Sequence, residues 1–240
     1  MKNLYGKKYY KRLEFGFKSE TREDHKRILQ LLEVKPIDRI LEIGCGFGVL
    51  LKKIPSKEKI GIETNNFAIK ECRKRGLFVI KADAEKTLPF KNLSFDIVVM
   101  NEVIEHLKKP EFVLNECYRV LKKNGKILIT TPVYHFLTKN MEGKESHFSE
   151  MSVKEIRALI AKTGFEILIH EANGIFFLYP LLELFLFKPF RLLQKKKIAP
   201  KTIDKGHSLV DKTFLKPLSW YRKRFLSLGL GQLILAQKRI

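Results

Sequence analysis

The sequence predicts an α/β fold built on a mostly parallel sheet with helices on both faces. Two features carry that expectation: short apolar strands alternate with amphipathic stretches from Arg39 to about Glu171, and a glycine-rich turn follows the first strand. RILEIG, KIGIE, FVIKAD, FDIVVM and KILITT read as the first five strands. Between them, Ala68–Arg75 and Glu111–Lys122 read as helices, the second closed by the Asn124-Gly125 turn. Ahead of the sheet, ETREDHKRILQLLEV spaces Ile28, Leu29, Leu31 and Leu32 for a leading helix with Thr21 as its cap. SVKEIRALIAKTGF then predicts a helix ended by Gly164, followed by a sixth strand, FEILIHE, and a terminal one, QLILAQK.

About 60 residues separate the last two strands, where a hairpin needs only a few. The expected organisation is an N-terminal segment and leading helix over 1–35, a core over 36–174, a basic and apolar helical insertion over 175–230, and a terminal strand over 231–240. At 240 residues and 45% apolar side chains, one core with an insertion suffices. Cys45, Cys72 and Cys117 are odd in number and scattered, which excludes a disulfide framework and a metal knuckle and points to a reducing cytoplasm. The opening MKNLYGKKYYKR has no apolar core of the kind a secretory signal needs. Net charge is +21, and the 53 residues from Lys188 onward hold 14 Lys and Arg against Asp204 and Asp211. Such a balance attracts polyanions.

LEIGCGFG places Gly44, Gly46 and Gly48 after the first strand, where a backbone must turn tightly and approach a ligand. Glu63 ends the next strand, where a carboxylate can accept both hydroxyls of a ribose, and Asp83 ends the third. Glu42 makes the motif E-x-G-x-G-x-G, which departs from the nicotinamide-binding spacing. Cys45 reads as a small loop filler, since no cationic partner is near it in sequence.

With ILEIGCGFG, IGIE, KADAEKTLPF, FDIVVMNEVIEHL and VLKKNGKILITTP in that order, the chain resembles the class I S-adenosylmethionine-dependent methyltransferases, particularly the group that includes ubiquinone- and menaquinone-pathway enzymes. The resemblance covers about Ile28 to Glu171 and the terminal strand. It implies a Rossmann-like sheet of seven strands, the last antiparallel, with S-adenosylmethionine across the carboxyl ends of the first strands. By the same resemblance, Glu42 lies near the methionyl amino group, Gly44, Gly46 and Gly48 line the methionine and ribose, and Glu63 binds the ribose hydroxyls. Asp83 and Ala84 meet the adenine, and Asn101 faces the sulfonium.

VMNEVIEHL clusters Glu102, Glu105 and His106 after a buried strand. If a helix begins near Glu102, the three share one face. With His147 from ESHFSE they would make a ligand set for a divalent metal such as Mg or Zn. This resembles the E-x-x-E-H arrangement of ubiquinone-pathway O-methyltransferases and of small-RNA 2′-O-methyltransferases, where the metal holds the acceptor hydroxyl. A second reading stands beside it: His106 as a general base or pocket wall without metal, with a carboxylate capping the next helix.

Ile175 to Leu193 is strongly apolar, yet Pro180, Glu183, Lys188, Pro189 and Arg191 interrupt it and argue against a spanning helix. It reads as a cap over an apolar acceptor site, or as an interfacial element over 175–197 whose Lys195, Lys196 and Lys197 meet anionic headgroups. Nucleic acid is the lesser explanation of the basic tail, with Trp220, Tyr221 and Arg222 as stacking residues. Tyr9 and Tyr10 precede the leading helix, where relatives carry a lid over the acceptor. The expected function is methyl transfer to a small or lipid-like acceptor at oxygen, in the cytoplasm or at a membrane surface. The alternatives are a metal-assisted RNA 2′-O-methyltransferase and a non-catalytic scaffold that binds cofactor or recruits to membranes.

Overall fold

A computed structural model describes residues 23–132, 148–149, 151–172 and 231–239. The elements are α1 (Glu23–Leu32), β1 (Arg39–Ile43), α2 (Val49–Lys53), β2 (Glu58–Glu63), α3 (Asn66–Lys74) and β3 (Val79–Lys81). β4 (Phe95–Asn101), a 3₁₀ turn (Ile104–His106), α4 (Pro110–Val120), β5 (Leu121–Pro132), α5 (Val153–Lys162), β6 (Phe165–Ala172) and β7 (Gly231–Lys238) follow. Seven strands form one sheet in the order β3-β2-β1-β4-β5-β7-β6. β1 pairs in parallel with β2 and β4, while β7 runs antiparallel to β6. This is the Rossmann-like architecture that the sequence predicts.

Strand alternation builds two cores. Leu41, Val98, Ile127, Ile129 and Ala236 face α4 and α5, joining Val113, Leu114, Ile156 and Ile160. Their neighbours Ile40, Ile97, Val99, Leu128 and Leu235 face the other way, joining Ile28, Leu50 and Ile69 from α1, α2 and α3. A period of two sends successive side chains to opposite faces, so a near-continuous apolar run is what a sheet covered on both sides requires. Each fully buried Leu or Ile contributes about 1.5–3 kcal/mol.

Local signals set several boundaries. Asn65 caps α3 by accepting from Phe67 and Ala68 N–H. Ser152 and Glu155 form a reciprocal capping box at the start of α5, and Gly164 ends it at φ 86°. The helix expected to run to Lys122 stops at Val120 instead. Its last carbonyls, on Arg119 and Val120, accept from Leu93 and Ser94 N–H, and Leu121 already pairs with Phe95. The Asn124-Gly125 turn therefore lies inside β5, with Asn124 at φ 60° and the β4 register shifted beside it. The proposed Thr21 cap and the insertion over 175–230 lie outside the described residues.

The loop after β3 is held against α4 by charge. Glu116 accepts from Leu88 N–H at 2.7 Å, and Arg119 donates to Glu116 and to the carbonyls of Leu88 and Phe90. The Arg119 hydrogen bond holds the Glu116 carboxyl below the usual carboxylate range. A depressed carboxyl stabilises the fold above its unfolded pKa, and that contribution is lost as pH falls through the folded value. Glu116→Gln should cost about 1–3 kcal/mol at pH 7, and the deficit should shrink in urea unfolding repeated at low pH.

Candidate functional site

Because β1, β2, β3 and β4 are parallel, their carboxyl ends open on one edge, and the chain reverses its direction of travel across the sheet between β1 and β4. Ligands of open α/β sheets bind at such a switch point. Here a cleft of about 390 Å³ is lined by Glu42, Gly44, Gly46, Glu63, Asp83 and Asn101, among others.

The glycine turn is set by one carboxylate. Glu63 is buried, and its Oε1 accepts from the backbone N–H groups of Thr64 (2.8 Å) and Asn65 (2.9 Å) and from the Thr64 hydroxyl. Its Oε2 accepts from Gly46 N–H at 3.0 Å, which pins the turn to the end of β2. Gly46 has φ 51° and open space where a Cβ would stand, so its place in the left-handed region is what calls for glycine. At Gly44 a Cβ would come within 2.8 Å of Val103, so glycine lets the turn approach the segment carrying His106. Gly48 does not line the cleft; it packs toward Leu77 and Cys72.

Glu42 is 3% exposed. The Leu51 backbone N–H supports its carboxylate, but Oε2 has no hydrogen-bond partner among the described residues. Burial, with the nearby Cys72 and Glu63, pushes its pKa up to about 8. An orphaned carboxylate oxygen at the floor of a cleft is expensive unless a ligand answers it, and a cation answers it best. Cys45 is buried with its thiol held protonated by a hydrogen bond with Cys72 and by burial, so it is a packing residue of the turn rather than a nucleophile.

Asn101 ends β4. The Thr130 hydroxyl donates to Asn101 Oδ1 at 2.7 Å, while the Thr130 carbonyl and hydroxyl oxygens both accept from Glu102 N–H. That bond leaves Asn101 presenting its amide NH₂ as a donor. Across the cleft, Asp83 Oδ1 accepts from Glu85 N–H, and Ala84 is buried beside it.

The expectation of a helix beginning near Glu102 is corrected. Glu102 has φ 55°, exposed beyond the end of β4, and only Ile104–His106 form a 3₁₀ turn. The i, i+3, i+4 face therefore does not exist. Glu102 and His106 line the cleft; Glu105 is 2% exposed and is not part of the lining, and it accepts from Thr131 Oγ1 at 3.1 Å. Glu105 Oε1 lies 3.9 Å from His106 Nε2. Among the described residues no three His, Cys, Asp or Glu side chains cluster as metal ligands. His147, Tyr9 and Tyr10 lie outside the described residues. Phe148 and Ser149 do not: both backbone N–H groups donate to the Glu105 carbonyl, and Ser149 Oγ donates to that of Leu107.

The sequence reading missed His25, a buried residue of α1 that lines the cleft within 3.4 Å of Lys53 Nζ, and Glu85. His25 stands in a helix whose apolar spacing hid it, whereas Glu85 adjoins Asp83-Ala84 in KADAEK, a signal that was available. Among the described residues no helix is long and apolar enough to cross a membrane.

A family described as methyltransferase domain matches residues 41–129, from β1 into β5. An uncharacterized protein of Methanocaldococcus jannaschii is 35% identical over 66% of this chain and 76% of its own length. Demethylmenaquinone methyltransferase of Thermotoga maritima is 33% identical over 49% of this chain, which spans about half of that relative, 52% of its length. Phosphoethanolamine N-methyltransferase 2 of Haemonchus contortus, solved with S-adenosyl-L-methionine, superposes with a TM-score of 0.68 at 20% identity, over 100% of this chain and 59% of that one. Sheet order, glycine turn and sequence similarity agree: the chain belongs to the class I S-adenosylmethionine-dependent methyltransferases.

Proposed function

We propose that the cleft holds S-adenosylmethionine with its methionyl ammonium at Glu42, its ribose at Glu63 and its adenine at Asp83 and Ala84, and that an acceptor hydroxyl is methylated beside His106. The observation that carries this reading is the buried Glu42 Oε2, left without a hydrogen-bond partner among the described residues, in the lining of the cleft. An ammonium supplies the missing charge and hydrogen bond together. Gly44 and Gly46 leave room for the methionine and ribose, and the Asn101 amide faces the sulfonium side.

When bound, S-adenosylmethionine supplies a methyl group that an acceptor oxygen takes from the sulfonium by in-line displacement, and positioning provides much of the rate. This chain's task is to hold the acceptor and remove its proton. His106 lines the cleft and accepts that proton; Glu105, held by Thr131, has its Oε1 3.9 Å from His106 Nε2, near enough for a carboxylate there to offset the charge the imidazole gains. With the Glu105 carboxyl held by Thr131 Oγ1, we read His106 as a base acting without metal, and removal of divalent cations separates this reading from a metal-held hydroxyl. Support for a lipid-like acceptor is the apolar run over 175–193 and the similarity to a relative named for demethylmenaquinone.

Two outcomes are expected. At pH 7 the ligand-free Glu42 carboxyl is mostly protonated, and an ammonium beside it favours the carboxylate, so S-adenosylhomocysteine should displace a proton on binding. Calorimetry in buffers of different ionisation enthalpy should register that proton in the native protein and not in Glu42→Gln; buffer-independent heat would sink the Glu42 assignment. Methyl incorporation from labelled S-adenosylmethionine into a lipid extract should survive EDTA and fall by about 10²–10⁴-fold in His106→Ala. Abolition by EDTA with recovery on adding magnesium or zinc would restore the metal reading.

A further inference from the structure

Glu85 belongs to neither the glycine turn nor the His106 turn, yet it joins the two sides of the cleft. Its own loop is tightly turned: Asp83 Oδ1 accepts from Glu85 N–H at 3.0 Å, and the Asp83 carbonyl accepts from Lys86 N–H at 3.1 Å. From this turn the Glu85 side chain crosses to the segment after His106. Its Oε1 accepts from the backbone N–H groups of both Lys108 (2.7 Å) and Lys109 (2.8 Å).

Those two amides lead into α4. Lys109 is the N-cap and offers no side-chain cap of its own, and Pro110 follows with no N–H to give. A helix start ordinarily takes its cap from the adjoining chain, as Asn65 and Ser152 do for α3 and α5. Here the carboxylate comes from 23 residues away, out of the loop assigned to the adenine. A negative charge there also complements the positive end of the helix dipole. His106 and Leu107, directly before the latched amides, line the same cleft as Glu85, Asp83 and Ala84.

We propose that Glu85 is a positioning residue that ties the His106 turn to the adenine side of the cleft, so that ordering the Asp83–Glu85 loop by cofactor orders the acceptor side as well. This rests on the reading of the cleft as the cofactor site. The latch needs an acceptor oxygen at the end of a three-carbon reach, not a negative charge as such. Glu85→Gln keeps that oxygen and reach; Glu85→Ala removes the oxygen, and Glu85→Asp withdraws it by one methylene.

Hydrogen exchange of the Lys108 and Lys109 amides, with and without saturating S-adenosylhomocysteine, reads the latch directly. In the native protein both should be protected, and further slowed by S-adenosylhomocysteine. In Glu85→Ala and Glu85→Asp they should exchange about tenfold faster or more and lose the response to ligand, while thermal unfolding stays cooperative. Glu85→Gln should restore most of the protection and the ligand response. Unchanged exchange in Glu85→Ala, or a Glu85→Gln variant that behaves like Glu85→Ala, would overturn the latch. Failure of the native protein to bind S-adenosylhomocysteine in calorimetry would instead overturn the reading of the cleft, and the coupling with it.

Discussion

Four hydrogen bonds converge on the Glu63 carboxylate, and they fix where β2 ends, how α3 begins and where the glycine turn sits. Oε1 gathers the first amides beyond β2, just before the Asn65 cap of α3. Oε2 reaches sideways to Gly46 on the neighbouring strand connection. Because the turn is held from the second strand rather than by its own side chains, its glycines stay bare on the cleft side. The approach of Gly44 to Val103 then carries that placement on to the His106 segment.

The same edge of the sheet concentrates unfavourable electrostatics. Glu42 and Glu63 lie within reach of each other's charge, and both are more than nine-tenths buried. Glu63 is satisfied by backbone donors; Glu42 is left with an oxygen that no described group answers. A chain selected for stability alone has no use for that oxygen, and replacement by an apolar residue would relieve it. The strain resides where a cationic ligand would remove it, the expected relation between a binding site and the scaffold around it. Beside His106, the buried Glu105 carboxyl is held by a hydrogen bond from Thr131 Oγ1.

The identity of the core strands was legible because both faces of this sheet are covered. Runs such as IVVM, from Ile97 to Met100, are apolar throughout, and glycine, asparagine and serine mark the strand ends. QLILAQK was readable as a terminal strand across the long gap after FEILIHE, and the structure pairs the two antiparallel and sets β7 between β5 and β6. What misled was local. EVIEH has helical spacing, but Glu102 must leave β4 in a left-handed conformation with its N–H given to Thr130, so the helical face never forms. Glu111–Lys122 has helical spacing too, but pairing of Leu121 with β4 ends the helix early. Tertiary hydrogen bonds decided both, and spacing does not carry them. Gly48 was grouped with its neighbours by motif, though the motif cannot tell a glycine that faces a ligand from one that faces Leu77.

The central claim is that this cleft, organised by Glu63, binds the adenosyl moiety of the cofactor. Calorimetric titration of S-adenosylhomocysteine into the native protein and into Glu63→Ala tests it, with thermal unfolding to verify that the variant is folded. Saturable binding by the native protein and an affinity lower by about tenfold or more in the variant, at least about 1.4 kcal/mol, is the predicted result. Equal affinity in a folded Glu63→Ala, or no binding by the native protein, would contradict the account.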